Sequence, residues 1–88
     1  MKIRKLLARQ GTIEILLFLV KNKNPHYGAI SKVIGSHQIT TSRLKELVDE
    51  GFIQRNVMQD PRRTVQYSIT KKGKELAEIA LRILELEK

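Results

Sequence analysis

The sequence contains no cysteine. That excludes a disulfide framework, a thiol nucleophile and a cysteine-based zinc finger, and it fits a reducing, cytoplasmic setting. Long apolar runs are absent too. Ile13 to Val20 is the most apolar stretch; at about eight residues, with Glu14 inside it, it falls well short of the ~20 that a membrane span needs. It therefore reads as a core helix. The basic start, Met1 to Arg9, is not followed by the small-residue cleavage site of a secretory signal. There is no Gly-rich phosphate loop, no Ser-His-Asp spacing and no carboxylate pair in an apolar setting, so the chain does not read as an enzyme. Glu46, Asp49 and Glu50 share one helix and are more simply a solvated face. His26 and His37 lack the cysteine or acidic neighbours that would complete a metal site. No cofactor is expected.

What the chain has in excess is positive charge. Lysine and arginine number 17 against 9 acids, a net +8, and an excess of this sign points to a polyanion, most often nucleic acid. The charge is unevenly placed. Lys2, Arg4, Lys5 and Arg9 crowd the start with no acid among them, and Arg55, Arg62, Arg63, Lys71, Lys72 and Lys74 crowd a later segment opposed only by Asp60. Glu75, Glu78, Glu85 and Glu87 make the last helix acidic. One end of the fold should be positive, as suits a face that meets phosphates. With 41% hydrophobic residues in 88, there is material for one small core and none of the composition of a disordered chain.

No repeat, linker or low-complexity tract divides residues 1–88, so they read as a single domain. Ile13, Leu16, Leu17, Phe18 and Val20 mark a buried first helix that ends before Pro25. A short second helix carries Ala29, Ile30, Val33 and Ile34, with Gly35 suited to a left-handed C-terminal cap. Ser36 can cap a third helix, about Gln38 to Glu50, whose apolar stripe is Leu44, Leu47 and Val48, with Thr40 or Thr41 completing it toward the start. Two helices about three residues apart, with a glycine between them, form a helix-turn-helix signature. A short strand is expected between the second and third helices. Beyond Gly51 the period falls to two. Ile53, Arg55 and Val57 alternate with Phe52, Gln54 and Asn56, then Val65, Tyr67 and Ile69 alternate with Thr64, Gln66 and Ser68. This is a hairpin with Arg62 and Arg63 near its tip. Thr70 can cap a last helix from Lys71 to about Glu87. The fold class is α+β, mostly helical: a winged helix-turn-helix with a three-helix core, a two-stranded β-wing and a C-terminal helix.

Two stretches resemble known regulators. Leu44-Lys45-Glu46-Leu47-Val48-Asp49-Glu50-Gly51-Phe52-Ile53-Gln54-Arg55 resembles the end of the recognition helix in bacterial and archaeal winged-helix proteins. Pro61 to Leu76 resembles the wing and following helix of the HxlR family, while Ile15 to Leu19 and His26-Tyr27-Gly28 resemble the opening of PadR regulators; MarR proteins share the general plan. The resemblance, which extends to small archaeal and archaeal-virus proteins, implies a homodimeric transcription factor on a pseudo-palindromic operator. The long or extra terminal helices of MarR and PadR proteins are not expected in these 88 residues, which leave little spare core for an effector pocket.

A recognition helix reads base edges with its N-terminal, outward side chains. Those expected to contact DNA are His37, Gln38, Thr40, Thr41, Ser42, Arg43 and Lys45, with Gln suited to adenine and Arg to guanine. Arg55, Arg62 and Arg63 are expected to reach backbone or minor groove from the hairpin. Lys71, Lys72 and Lys74 either meet phosphate or serve a generic role, and the basic arm from Lys2 to Arg9 is either a phosphate-contacting tail or a helix extension in the dimer interface. In the last helix, residues 71–88, the broad apolar face of Leu76, Ile79, Ala80, Ile83, Leu84 and Leu86 is expected to pair with a second copy. The leading functional expectation is a sequence-specific double-stranded-DNA regulator without membrane contact. It should act as a repressor, since a chain this small carries no activation domain. The rivals are an architectural chromatin protein of the same fold and a winged-helix protein–protein module.

Overall fold

A computed structural model describes residues 3–59 and 61–87. The elements run α1 (Ile3–Ala8), α2 (Thr12–Lys21), α3 (Tyr27–Ile34), α4 (His37–Asp49), β1 (Ile53–Val57), β2 (Val65–Ile69) and α5 (Lys71–Leu86). The caps are those the sequence supplies. Ser36 Oγ accepts from Ile39 N–H at 3.2 Å, and Thr70 Oγ1 accepts from Gly73 N–H at 3.0 Å. Each satisfies one of the N–H groups that a helix start leaves unpaired. Gly35, at φ 84°, ends α3 in the left-handed conformation, which costs glycine little.

The strands pair antiparallel, from Ile53 opposite Ile69 to Val57 opposite Val65. No strand forms between α3 and α4, because only Gly35 and Ser36 separate them. The third strand position lies earlier. Pro25 C=O accepts from Tyr67 N–H at 2.9 Å, and His26 pairs with Gln66 on the outer edge of β2. The segment before α3 thus anchors the helix-turn-helix to the hairpin.

The core gathers one or more side chains from every element: Leu6, Ile15, Leu16, Leu19, Ile30, Leu44, Leu47, Phe52, Ile53, Tyr67, Leu76 and Ala77. Three readings of the apolar pattern need correction. In α2 the buried phase is Ile15, Leu16 and Leu19, with Val20 53% exposed and Leu17 and Phe18 half-buried. In α3, Val33 is 50% exposed. In β1 only Ile53 is buried, because the hairpin leaves the body of the domain beyond it; Val57 faces solvent.

α5 divides its broad apolar surface. Leu76 and Ala80 are 2% and 0% exposed within the single chain. They belong to the domain core and are not free to form a dimer interface, which corrects that part of the expectation. Leu84 is half-buried, and Ile79, Ile83 and Leu86 remain exposed. The basic arm forms a helix, α1, packed on the domain through the buried Leu6; Lys2 lies outside the described residues.

Candidate nucleic-acid interface

α4 separates its polar residues sharply. Thr40 points inward, 0% exposed, and its Oγ1 donates to Ser36 C=O at 2.7 Å. It completes the apolar stripe and cannot touch an outside ligand. Thr41, one residue on and about 100° around the helix, is exposed. His37, Thr41, Lys45 and Asp49 follow one another at four-residue spacing on the exposed side, with Gln38 beside them. Ser42 is half-buried. Lys45 and Asp49 meet at 3.3 Å with 77% and 60% of their side chains exposed. A pair so open to water is worth only a few tenths of a kcal/mol, so it yields readily to a phosphate.

Arg43 departs from its expected role. Its side chain is 14% exposed, and its Nε meets Glu46 Oε1 at 3.0 Å. The approach is a charge contact whose angle is too oblique for a hydrogen bond. Arg9 Nη1 meets Glu46 Oε2 at 3.1 Å from the opposite side. Neither arginine lies on the open strip.

The N-terminal half of α4 is tied to α3 by Tyr27. Its hydroxyl lies 2.8 Å from Thr41 Oγ1 and 3.1 Å from His37 Nδ1, and donates to His37 C=O at 3.3 Å. Its ring stacks on the His37 imidazole, with centroids 5.8 Å apart and planes 11° from parallel. Ser31 Oγ reaches the same Nδ1 at 3.2 Å. The Tyr27 bond to Thr41 spans 14 residues, and no local pattern announces it. His26 caps α3 through Nδ1, which accepts from Ala29 N–H at 3.2 Å. Both histidines therefore have structural partners. Among the described residues no three His, Cys, Asp or Glu side chains gather as a metal set would.

The hairpin flanks this face. Arg55 on β1 is exposed and, with Tyr67 of β2, lines an apolar cleft of about 300 Å³ against Thr41, Lys45 and Val48 of α4. Arg62 and Arg63 are exposed in the turn, Arg63 at φ 49°; Asp60 lies outside the described residues. The lysines opening α5 do not act alike. Lys72 Nζ donates to Glu50 C=O at 2.7 Å and stands 4.4 Å from the centre of the Phe52 ring. It sits at the negative end of α4, where a cation is favoured, and so serves the fold. Lys71 and Lys74 are exposed.

Residues 6–88 match the model of the HxlR-like helix-turn-helix family. The chain belongs to that family. This HxlR-like protein is 34% identical over 80 residues to an uncharacterised helix-turn-helix transcriptional regulator of Methanocaldococcus jannaschii, an alignment covering 88% of this chain and 74% of that one. A second uncharacterised regulator of the same type, from Bacillus subtilis, is 32% identical over 69 residues, covering 76% of this chain and 64% of the relative. Among solved structures, the reduced form of the Bacillus subtilis transcriptional regulator YodB superposes with a TM-score of 0.81 at 24% identity, over 93% of this chain and 81% of that one. The Staphylococcus aureus MepR–DNA complex superposes at 0.78 with 19% identity, over 98% and 73%. These likenesses bear out the winged-helix fold, and the family makes the chain a DNA-binding transcription regulator of helix-turn-helix type. Among the described residues no helix is long and apolar enough to cross a membrane.

Proposed function

We propose that this HxlR-like protein binds double-stranded DNA sequence-specifically as a homodimer and represses transcription from the site it covers. The observation that carries this reading is the open strip of His37, Gln38, Thr41 and Lys45 on α4, set beside a hairpin that presents Arg55, Arg62 and Arg63. Glutamine and hydroxyl side chains suit base edges in the major groove. Arginines on a wing suit the flanking phosphates or a narrow minor groove. Ser42 stands at the rim of the strip. MepR, whose fold this chain shares, has been solved bound to DNA, which favours DNA as the partner of this fold.

The dimer rests on the outer half of α5. Ile79, Ile83 and Leu86 are 50%, 36% and 86% exposed and recur at helical spacing. A groove of about 460 Å³, in which Leu7, Ile13, Val33 and Leu84 alternate with Arg9, Glu14 and Glu87, offers a second copy further surface of mixed polarity. A two-fold arrangement would set two α4 helices about 34 Å apart, one turn of DNA. Repression needs nothing more than occupancy of such a site.

Selection of bound sequences from a random DNA pool, followed by competition at physiological salt, tests the reading. A regulator should favour its selected site over random DNA by about 10³ or more. Equal affinity for both would make it an architectural protein, and loss of binding to both would leave a protein–protein module.

A further inference from the structure

Glu46 lies on α4, the helix proposed to face DNA, yet its carboxylate turns toward the elbow that joins α1 to α2. Arg43 Nε and Arg9 Nη1 converge on its two oxygens at 3.0 and 3.1 Å. The elbow itself presses on the same spot. Gly11, at φ 94°, is buried, and a Cβ there would come within 3.1 Å of Ile39 Cγ2 and 3.3 Å of Arg43 Cγ. Glu46 and Arg43 are only 22% and 14% exposed, so water screens this pair far less than it screens Lys45 and Asp49. An arginine left to itself on a helix surface keeps several rotamers and about 2 kcal/mol of side-chain entropy. Arg43 has been taken out of that ensemble and held along the helix.

We propose that Glu46 withdraws Arg43 and Arg9 from the DNA-contacting surface and uses them to fix the recognition helix on the α1–α2 elbow. The inference rests on the reading of α4 as the DNA-facing helix. Two cations that composition alone would count as DNA contacts are then spent on holding α4 in place. The charge that α4 offers to DNA comes from Lys45, while Arg43 and Glu46 are positioning residues.

The salt dependence of binding to a short fluorescent duplex of random sequence distinguishes the two roles, because each phosphate contact adds about one unit to the slope of log K against log salt. Wild type and Arg62→Ala test the underlying reading: wild type should bind, and Arg62→Ala should flatten the slope by about one. A wild type that does not bind removes that reading and the inference with it. Where wild type binds, Arg43→Ala and Arg9→Ala should leave the slope unchanged. Glu46→Gln should steepen it by about one or more as the arginines are released. Adding Arg43→Ala to Glu46→Gln should remove about one unit of that gain. Arg9, 44% exposed, keeps the test open if Arg43→Ala melts early. Flattening by about one in either arginine variant, or an unchanged slope in Glu46→Gln, overturns the proposal.

Discussion

The hydroxyl of Tyr27 and the Oγ1 of Thr41 lie 2.8 Å apart, and this contact joins the two helices of the helix-turn-helix at the point where α4 turns its polar face outward. The same hydroxyl serves His37, so one atom positions two residues of the open strip. Tyr27→Phe keeps the ring and its stack on His37 and removes only the oxygen. It should cost about 1 kcal/mol in urea unfolding. It should also lower the preference for a selected DNA site more than the affinity for random DNA. Equal losses on both would mean that the hydroxyl stabilises the domain without orienting Thr41.

Gly73 sits in the first turn of α5, buried against the Phe52 carbonyl. A Cβ there would collide with that backbone oxygen and come within 2.7 Å of Ile69 Cγ1. The first obstacle is main chain and cannot swing aside. Gly73→Ala should therefore destabilise by about 3 kcal/mol or more, at the upper end of overpacking costs. Gly35→Ala meets no atom within 4 Å and should lose only about 1–2 kcal/mol for its left-handed backbone. Thermal melts of the two variants rank them; a milder Gly73→Ala would mean that α5 can slide away from the hairpin.

Lys72 and Arg62 are both exposed cations of the second basic segment, with different work. Lys72 holds the Glu50 carbonyl and covers the Phe52 ring. Lys72→Met should cost about 1 kcal/mol of stability, from the helix-end and cation–π contributions together. It should leave the salt slope of DNA binding unchanged, whereas Arg62→Ala should do the reverse. A flatter slope in Lys72→Met would return that lysine to the contact surface.

For the dimer, α5 supplies its own control. Ile83→Lys alters an exposed position and should give a folded monomer by light scattering. Leu76→Ala, at a site only 2% exposed, should lose about 2–5 kcal/mol of stability as a cavity opens in the core. If Ile83→Lys remains dimeric, the two copies meet elsewhere, and the groove beside α1 becomes the next surface to alter.

Much of this molecule could be read along the chain. Ser36 and Thr70 cap the helices that follow them, Gly35 ends the one before, and the alternation of Val65, Tyr67 and Ile69 yields a strand. Each of these depends on residues within a few positions of one another, so local geometry decides it. The face that a residue takes on a broad or interrupted stripe was harder to read. In α2 the stripe is apolar nearly all round, and periodicity could not choose between Val20 and Leu19.

The sequence by itself determined the types and order of the elements from α2 to α5 and the excess of positive charge; it assigned no separate helix to Ile3–Ala8, and the strand it suggested between α3 and α4 does not form. The tertiary structure decided which side chains that charge leaves free. Adjacent residues on a helix differ by about 100°, so Thr40 became a buried partner of Ser36 while Thr41 stayed outside. Glu46, Arg43 and Arg9 met because the elbow between α1 and α2 lies against α4, a contact across 37 residues for Arg9. Leu76 and Ala80 went to the core because α5 packs along α2, leaving Ile79 and Ile83 uncovered. Each of these outcomes is set by which surfaces lie against one another, and residue spacing along the chain does not contain that information.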